Sequence, residues 1–169
     1  LAFDGDADRC FLVVEKGAHV NPAALTALIA TRELAKNPGA SIIYNLISSR
    51  AVKEVVEESG GTAIRSRVGH SYIKKLMAET NAVFGGEHSG HFYFRDFWKA
   101  DSGMLAAMHA LAALGETSKS TTLSDLLKPY LRYVMSGEIN TKVSDAPAVI
   151  ARIKETAIKQ GSELDELDG

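Results

Sequence analysis

Apolar residues along this chain return at two different intervals, and the two alternate. After Asn21-Pro22 they recur every three or four positions, at Leu25, Leu28, Ile29 and Leu34, which is one face of a helix. Asn21 suits the N-cap and Pro22 the first turn, while Asn37-Pro38-Gly39 ends the helix. Ser41-Ile42-Ile43-Tyr44-Asn45-Leu46 reads as a buried strand. A second helix carries Val52, Val55 and Val56 on one face and closes at Gly60-Gly61. Thr62 to Arg65 is a short strand, and Ser71 to Glu79 a helix with Ile73, Leu76 and Met77 inward. Ala82-Val83-Phe84 and His91 to Phe94 are further strands, and Asp101 caps a small-residue helix reaching Leu114. This alternation predicts an α/β fold: a three-layer α/β/α sandwich on a largely parallel, mixed sheet.

The positions from Thr121 onward keep a different rhythm. Thr121 to Lys128 is a short helix stopped by Pro129, and Tyr130 to Val143 reads as extended. Asp145-Ala146-Pro147 opens another helix, with Val149, Ile150, Ile153 and Ala157 on one face and Gly161 at its end. The tail is expected to begin a second unit. The chain starts on Leu1-Ala2-Phe3, without Met, and stops at Asp165-Glu166-Leu167-Asp168-Gly169. The expectation is a piece of a longer polypeptide.

Composition narrows the function classes. A hydrophobic share of 46% supports a proper core. A net charge of −2 supplies no basic field for nucleic acid or anionic lipid. The single cysteine, Cys10, excludes an internal disulfide and fits a reducing cytoplasm. It lies in the apolar run Cys10-Phe11-Leu12-Val13-Val14, as a buried inert thiol would. The expectation is a chain without signal peptide or membrane-spanning run.

The candidate chemistry begins at Phe3-Asp4-Gly5-Asp6-Ala7-Asp8-Arg9. Three carboxylates at alternate positions repel one another unless a cation sits among them, and hard oxygen ligands suit Mg²⁺. Arg9 beside them suggests an anionic partner, most simply a phosphate held by its planar fork. A solvated acidic turn is the bland alternative. An EF-hand loop fails, because its sixth position needs Gly and this chain has Arg9. A phosphatase of haloacid dehalogenase type would use Asp4 as nucleophile, but no clear downstream metal-binding Asp pair accompanies it.

A second motif reads Phe84-Gly85-Gly86-Glu87-His88-Ser89-Gly90-His91. Glycines such as Gly86 let backbone approach a ligand closely. Glu87 can accept bonds from two sugar hydroxyls, Ser89 can give and accept, and a histidine can move protons near neutral pH. A tight polar turn is the competing reading.

Together the loops Asp4-Gly5-Asp6-Ala7-Asp8-Arg9 and Gly86-Glu87-His88-Ser89-Gly90-His91 resemble those of the α-D-phosphohexomutases, the phosphomannomutase/phosphoglucomutase family. The family's metal loop typically reads Asp-Gly-Asp-Gly-Asp-Arg and its sugar loop Gly-Glu-x-Ser-Gly-His. Val68-Gly69-His70-Ser71 resembles another family loop, with His70 in the active-site cleft, and Asp101-Ser102-Gly103 the start of the following helix. The resemblance implies the end of one domain with the metal loop (1–18), a sugar-binding α/β domain (19–130) and an incomplete C-terminal domain (131–169). It implies hexose 1-phosphate/6-phosphate interconversion through a phosphoserine and a bisphosphorylated sugar, with Mg²⁺ on Asp4, Asp6 and Asp8. Arg9, His91 and His70 would be catalytic, and Glu87, Ser89, Gly86 and Arg50 substrate-binding. His88 would be a bystander.

Two departures stand out. Ala7 replaces the usual Gly, a mild change provided the position avoids positive φ. Ile47 replaces a common lysine, and Arg50 is expected to supply the charge instead. The chain contains neither the family's phosphoserine loop nor its phosphate-gripping Arg-x-Ser-Asn-Thr-type loop. By itself it is therefore expected to be inactive, with the missing domains as its partners. A metal-dependent phosphatase and a non-catalytic sugar-phosphate module remain as alternatives.

Overall fold

Asn21 accepts a hydrogen bond from the Ala23 amide at 2.9 Å and so starts α1 (Pro22–Lys36) where the sequence predicts it. Ser49 caps α2 (Arg50–Glu58), accepting from the Ala51 amide at 3.2 Å, a start not located from the sequence pattern. The structure is a computed structural model and describes residues 1–137 and 139–168. It divides into two compact units, one of residues 1–133 and one beginning at Val134.

The first unit is built on a five-stranded sheet: β3 (Ser41–Asn45), β4 (Thr62–Ser66), β5 (Phe84–Gly86), β6 (Phe92–Phe94) and β7 (Ala100–Asp101), in the order β4-β3-β5-β6-β7. β3 runs parallel to β4 and β5, whereas β6 is antiparallel to both β5 and β7. Strand alternation sends Ile42, Tyr44, Phe84, Phe92 and Phe94 into one core, shared with α1, α2 and α4 (Gly103–Gly115). Ile43 and Tyr93 point the other way, onto Ile73 and Met77 of α3 (His70–Thr80). The result is the three-layer sandwich expected from the pattern. A separate antiparallel hairpin, β1 (Ala2–Phe3) and β2 (Cys10–Phe11), carries the acidic loop at its tip. Cys10 and Leu12 lie in the first core, and burial pushes the Cys10 thiol up to about 11.

Three local expectations are corrected. Ala82 and Val83 precede β5 rather than belonging to it, and Gly85 and Gly86 continue the strand. A Cβ on Gly86 would stand 2.5 Å from the Thr26 side chain of α1, and one on Gly85 3.1 Å from Ile73. These glycines therefore let two helices press on the sheet from opposite faces. Second, Ser102 and not Asp101 caps α4, accepting from the Leu105 amide at 3.2 Å. Third, the stretch read as extended begins with a tight turn at Lys128–Tyr130, and the described residues from Leu131 to Val143 hold no strand. Arg132 is instead paired with Glu54 and Glu58 of α2.

Thr122 and Asp125 form a capping box that opens α5 (Leu123–Leu127). The second unit holds α6 (Ala146–Lys159), capped by Asp145, which accepts from the Ala148 amide at 3.0 Å. No helix among the described residues is long and apolar enough to cross a membrane.

Candidate active site

The acidic loop folds back on itself. Asp4, Asp6 and Asp8 each bring a carboxylate oxygen to within 4.8 Å of the others. Asp4 is anchored by Arg9: Oδ2 accepts from Nε at 2.6 Å, and Oδ1 from the Arg9 amide at 3.2 Å. The Arg9 side chain beside it holds the Asp4 carboxyl below its ordinary range. Desolvation acts first on Asp8 and raises its pKa, with Asp6 and Asp4 adding to the rise. Asp8 Oδ1 is buried and has no hydrogen-bond partner among the described residues. Three converging carboxylates, one of which also has a buried oxygen without a partner, are what a hard divalent cation would satisfy, so the donor set fits Mg²⁺. Ala7, at the turn of this loop, has φ +60°. The condition for a mild Gly-to-Ala exchange is thus not met, and Ala7 sits in the left-handed region.

Backbone contacts tie this loop to the glycine-rich one. The Cys10 amide donates to the Gly90 carbonyl at 3.1 Å, and Arg9 and His91 form an antiparallel bridge. Gly103, the first residue of α4, fits closely beneath: a Cβ there would stand 2.5 Å from the Arg9 carbonyl oxygen and 2.7 Å from that of Ala7. His91 Nδ1 accordingly lies 3.0 Å from Asp101 Oδ2 and 3.8 Å from Asp8 Oδ2. The His70 ring meets the His91 ring edge-on, with centroids 4.3 Å apart. Lys74, one turn after His70 on α3, reaches Asp101 Oδ1 at 3.2 Å.

Glu87 is corrected in its surroundings. It is 2% exposed, and both carboxylate oxygens are already bonded within the protein. Oε1 accepts from the Gly69 amide at 3.2 Å, and Oε2 from the Tyr93 hydroxyl at 2.7 Å. Ser89 is exposed at the loop's tip. Gly86 lies inside β5 against Thr26, so packing by itself requires its lack of a side chain. Arg50 is exposed in the first turn of α2. Its charge acts on Glu54 and Tyr133, so the structure puts it beside those groups and not in the histidine–carboxylate cluster. Ile47 is 54% exposed.

Four residues of the site were missed from sequence: Asn45, Lys74, Tyr93 and, in its true role, Asp101. Asn45 is fully buried, and its Oδ1 accepts from the Ser48 hydroxyl at 2.6 Å and the His88 amide at 3.3 Å. It thereby couples the end of β3 to the glycine-rich loop. Periodicity held a signal for two of the others. Tyr93 is two positions beyond His91 along an extended segment, and Lys74 four beyond His70 on a helix, so each pair shares a face.

Comparison with known proteins points one way. The family model for phosphoglucomutase/phosphomannomutase, alpha/beta/alpha domain III, matches residues 21–133. A phosphomannomutase of Methanocaldococcus jannaschii is 45% identical over 169 residues, and one of Escherichia coli K12 is 39% identical over 170. Each match covers 100% of this chain but 37% of the relative, so the chain spans little more than a third of these proteins' length. A solved phosphoglucomutase/phosphomannomutase family protein from Burkholderia thailandensis superposes with a TM-score of 0.69 at 37% identity, over 75% of this chain and 27% of that one.

Proposed function

This chain belongs to the phosphoglucomutase/phosphomannomutase family, and from that premise we propose that it supplies the metal loop and the sugar-binding loop of a phosphohexomutase. The whole protein would interconvert hexose 1-phosphate and 6-phosphate, of mannose or glucose, in the cytoplasm. One observation carries the reading: three converging carboxylates, Asp8 among them with an unpartnered buried oxygen, on a loop bridged by backbone to the histidine-bearing glycine loop.

The residues divide the work as follows. Asp4, Asp6 and Asp8 would hold Mg²⁺, which when bound neutralises charge on a transferring phosphoryl group. Arg9 spends Nε on Asp4, and its other guanidinium nitrogens remain for a phosphoryl oxygen. Asp101 accepts from His91 Nδ1, which leaves Nε2 of a neutral ring to take a hydroxyl proton. His70 lies against His91 and serves the same end of the site. Ser89 meets sugar hydroxyls, with Glu87 behind it offering the lone pairs left over from its two protein bonds. The donor serine and the phosphate-gripping loop would come from parts of the protein that this chain does not contain, so we expect no interconversion from the chain alone.

The phosphatase alternative fares poorly, because Arg9 engages both oxygens of its one candidate nucleophile, Asp4. Titrating the 169-residue chain with Mg²⁺ and then with mannose 6-phosphate or glucose 6-phosphate separates the readings. The proposal expects metal-dependent binding without turnover. Release of inorganic phosphate would favour a phosphatase, and metal-independent indifference to both sugars would remove the proposal.

A further inference from the structure

The Tyr93 hydroxyl stands between two groups that the mechanism above treats separately. It donates to Glu87 Oε2 at 2.7 Å, and its oxygen lies 2.8 Å from His70 Nδ1. Tyr93 is 0% exposed and Glu87 2%, so the chain of bonds is closed off from water at that end. Burial first, then the bond to Glu87, raises the Tyr93 pKa, and the hydroxyl keeps its proton. A hydroxyl has one hydrogen to give. With that hydrogen on Glu87, the Tyr93 oxygen can only accept from the imidazole. His70 Nδ1 must therefore carry a hydrogen, and in the neutral ring Nε2 carries none.

We propose that Tyr93 is a positioning residue, which transmits the buried carboxylate of Glu87 to His70 and fixes neutral His70 as the Nδ1–H tautomer. The half-exposed ring then presents the Nε2 lone pair outward, as an acceptor for a substrate hydroxyl or as a base. The further acceptor near Nδ1 is Asp101 Oδ2, at 3.6 Å. It favours the same tautomer from a greater distance, and its own oxygens already receive His91 and Lys74. Glu87 thus acts on the site through the protein as well as from the loop. What Nε2 meets rests on the mutase reading; the tautomer itself does not.

The test uses ¹⁵N-histidine NMR on the 169-residue chain, without metal or sugar, at a pH well above the ordinary histidine range. The native chain should show the His70 proton on Nδ1; a proton on Nε2 overturns the proposal whatever any variant does. Glu87→Gln should reverse the relay. The Gly69 amide requires the Gln oxygen at the Oε1 position, so the Gln amide would donate to Tyr93. The Tyr93 hydroxyl would turn its hydrogen to His70 Nδ1, and Nε2–H should become the dominant tautomer. Adding Tyr93→Phe to Glu87→Gln should return the proton to Nδ1, toward Asp101. An unchanged tautomer in folded Glu87→Gln contradicts the relay. Loss of hexose phosphate binding would instead sink the mutase reading and leave these spectra as they are.

Discussion

Ala7 shows how much a single position can hide. By composition it is an innocuous small residue, yet its φ of +60° belongs to glycine country. The left-handed conformation costs a residue with a Cβ roughly 1–2 kcal/mol, and glycine's extra unfolded-state freedom offsets about 0.5–1 kcal/mol of the relief. Ala7→Gly should therefore stabilise the chain by up to about 1.5 kcal/mol in urea unfolding; clear destabilisation would mean that the loop is not held as described. Asp8 carries the sharper test. Asp8→Asn keeps the shape but removes the orphaned anionic oxygen, so Mg²⁺ affinity by calorimetry should fall at least tenfold, about 1.4 kcal/mol. Unchanged affinity would reject the metal assignment. The acidic triad was legible in the sequence because a motif is a local pattern. Tyr93, Lys74 and Asp101 were not, because their partners lie on other elements: Glu87 and His70 for Tyr93, Asp101 for Lys74, and His91 for Asp101, pairings that exist only after the sheet and α3 come together.

Elements were legible wherever caps and periodicity agreed, as at Asn21 for α1, and α2 was legible by periodicity although its Ser49 cap was not. They slipped where chemistry-bearing residues also served packing. The run Gly85-Gly86 reads as loop, but the closeness of Thr26 and Ile73 makes it strand. Gly86→Ala should cost about 1–3 kcal/mol, since the added methyl must push the Thr26 side chain or the backbone aside. Thr26→Ala in the same chain should recover part of that loss in urea midpoint; no loss at all would contradict the packing. At α5, the Asp125 carboxyl is drawn down to about 2, first by Lys128 and then by Thr122. Its folded value lies below the ordinary aspartate value of about 3.9, so its contribution is present above about pH 4 and is lost as pH falls toward 2. The Thr122 amide should report this acid transition by NMR, and Asp125→Asn should abolish it.

Over the whole chain, the alternating pattern yielded the layered α/β fold, and the two loops yielded the family. What no pattern gave was how the loops meet. The Arg9–His91 bridge, the Cys10–Gly90 hydrogen bond and the seat that Gly103 offers the acidic loop are long-range contacts between small or common residues. They make one site out of two motifs, in a chain about a third as long as its relatives. The most direct measurement exploits the match over the full chain. The corresponding segment of the Methanocaldococcus jannaschii phosphomannomutase is replaced by these 169 residues, and the purified chimera is assayed for hexose 1-phosphate to 6-phosphate interconversion with Mg²⁺. The account predicts turnover that Asp8→Asn abolishes. A folded chimera that binds Mg²⁺ but does not interconvert the sugar phosphates would contradict it.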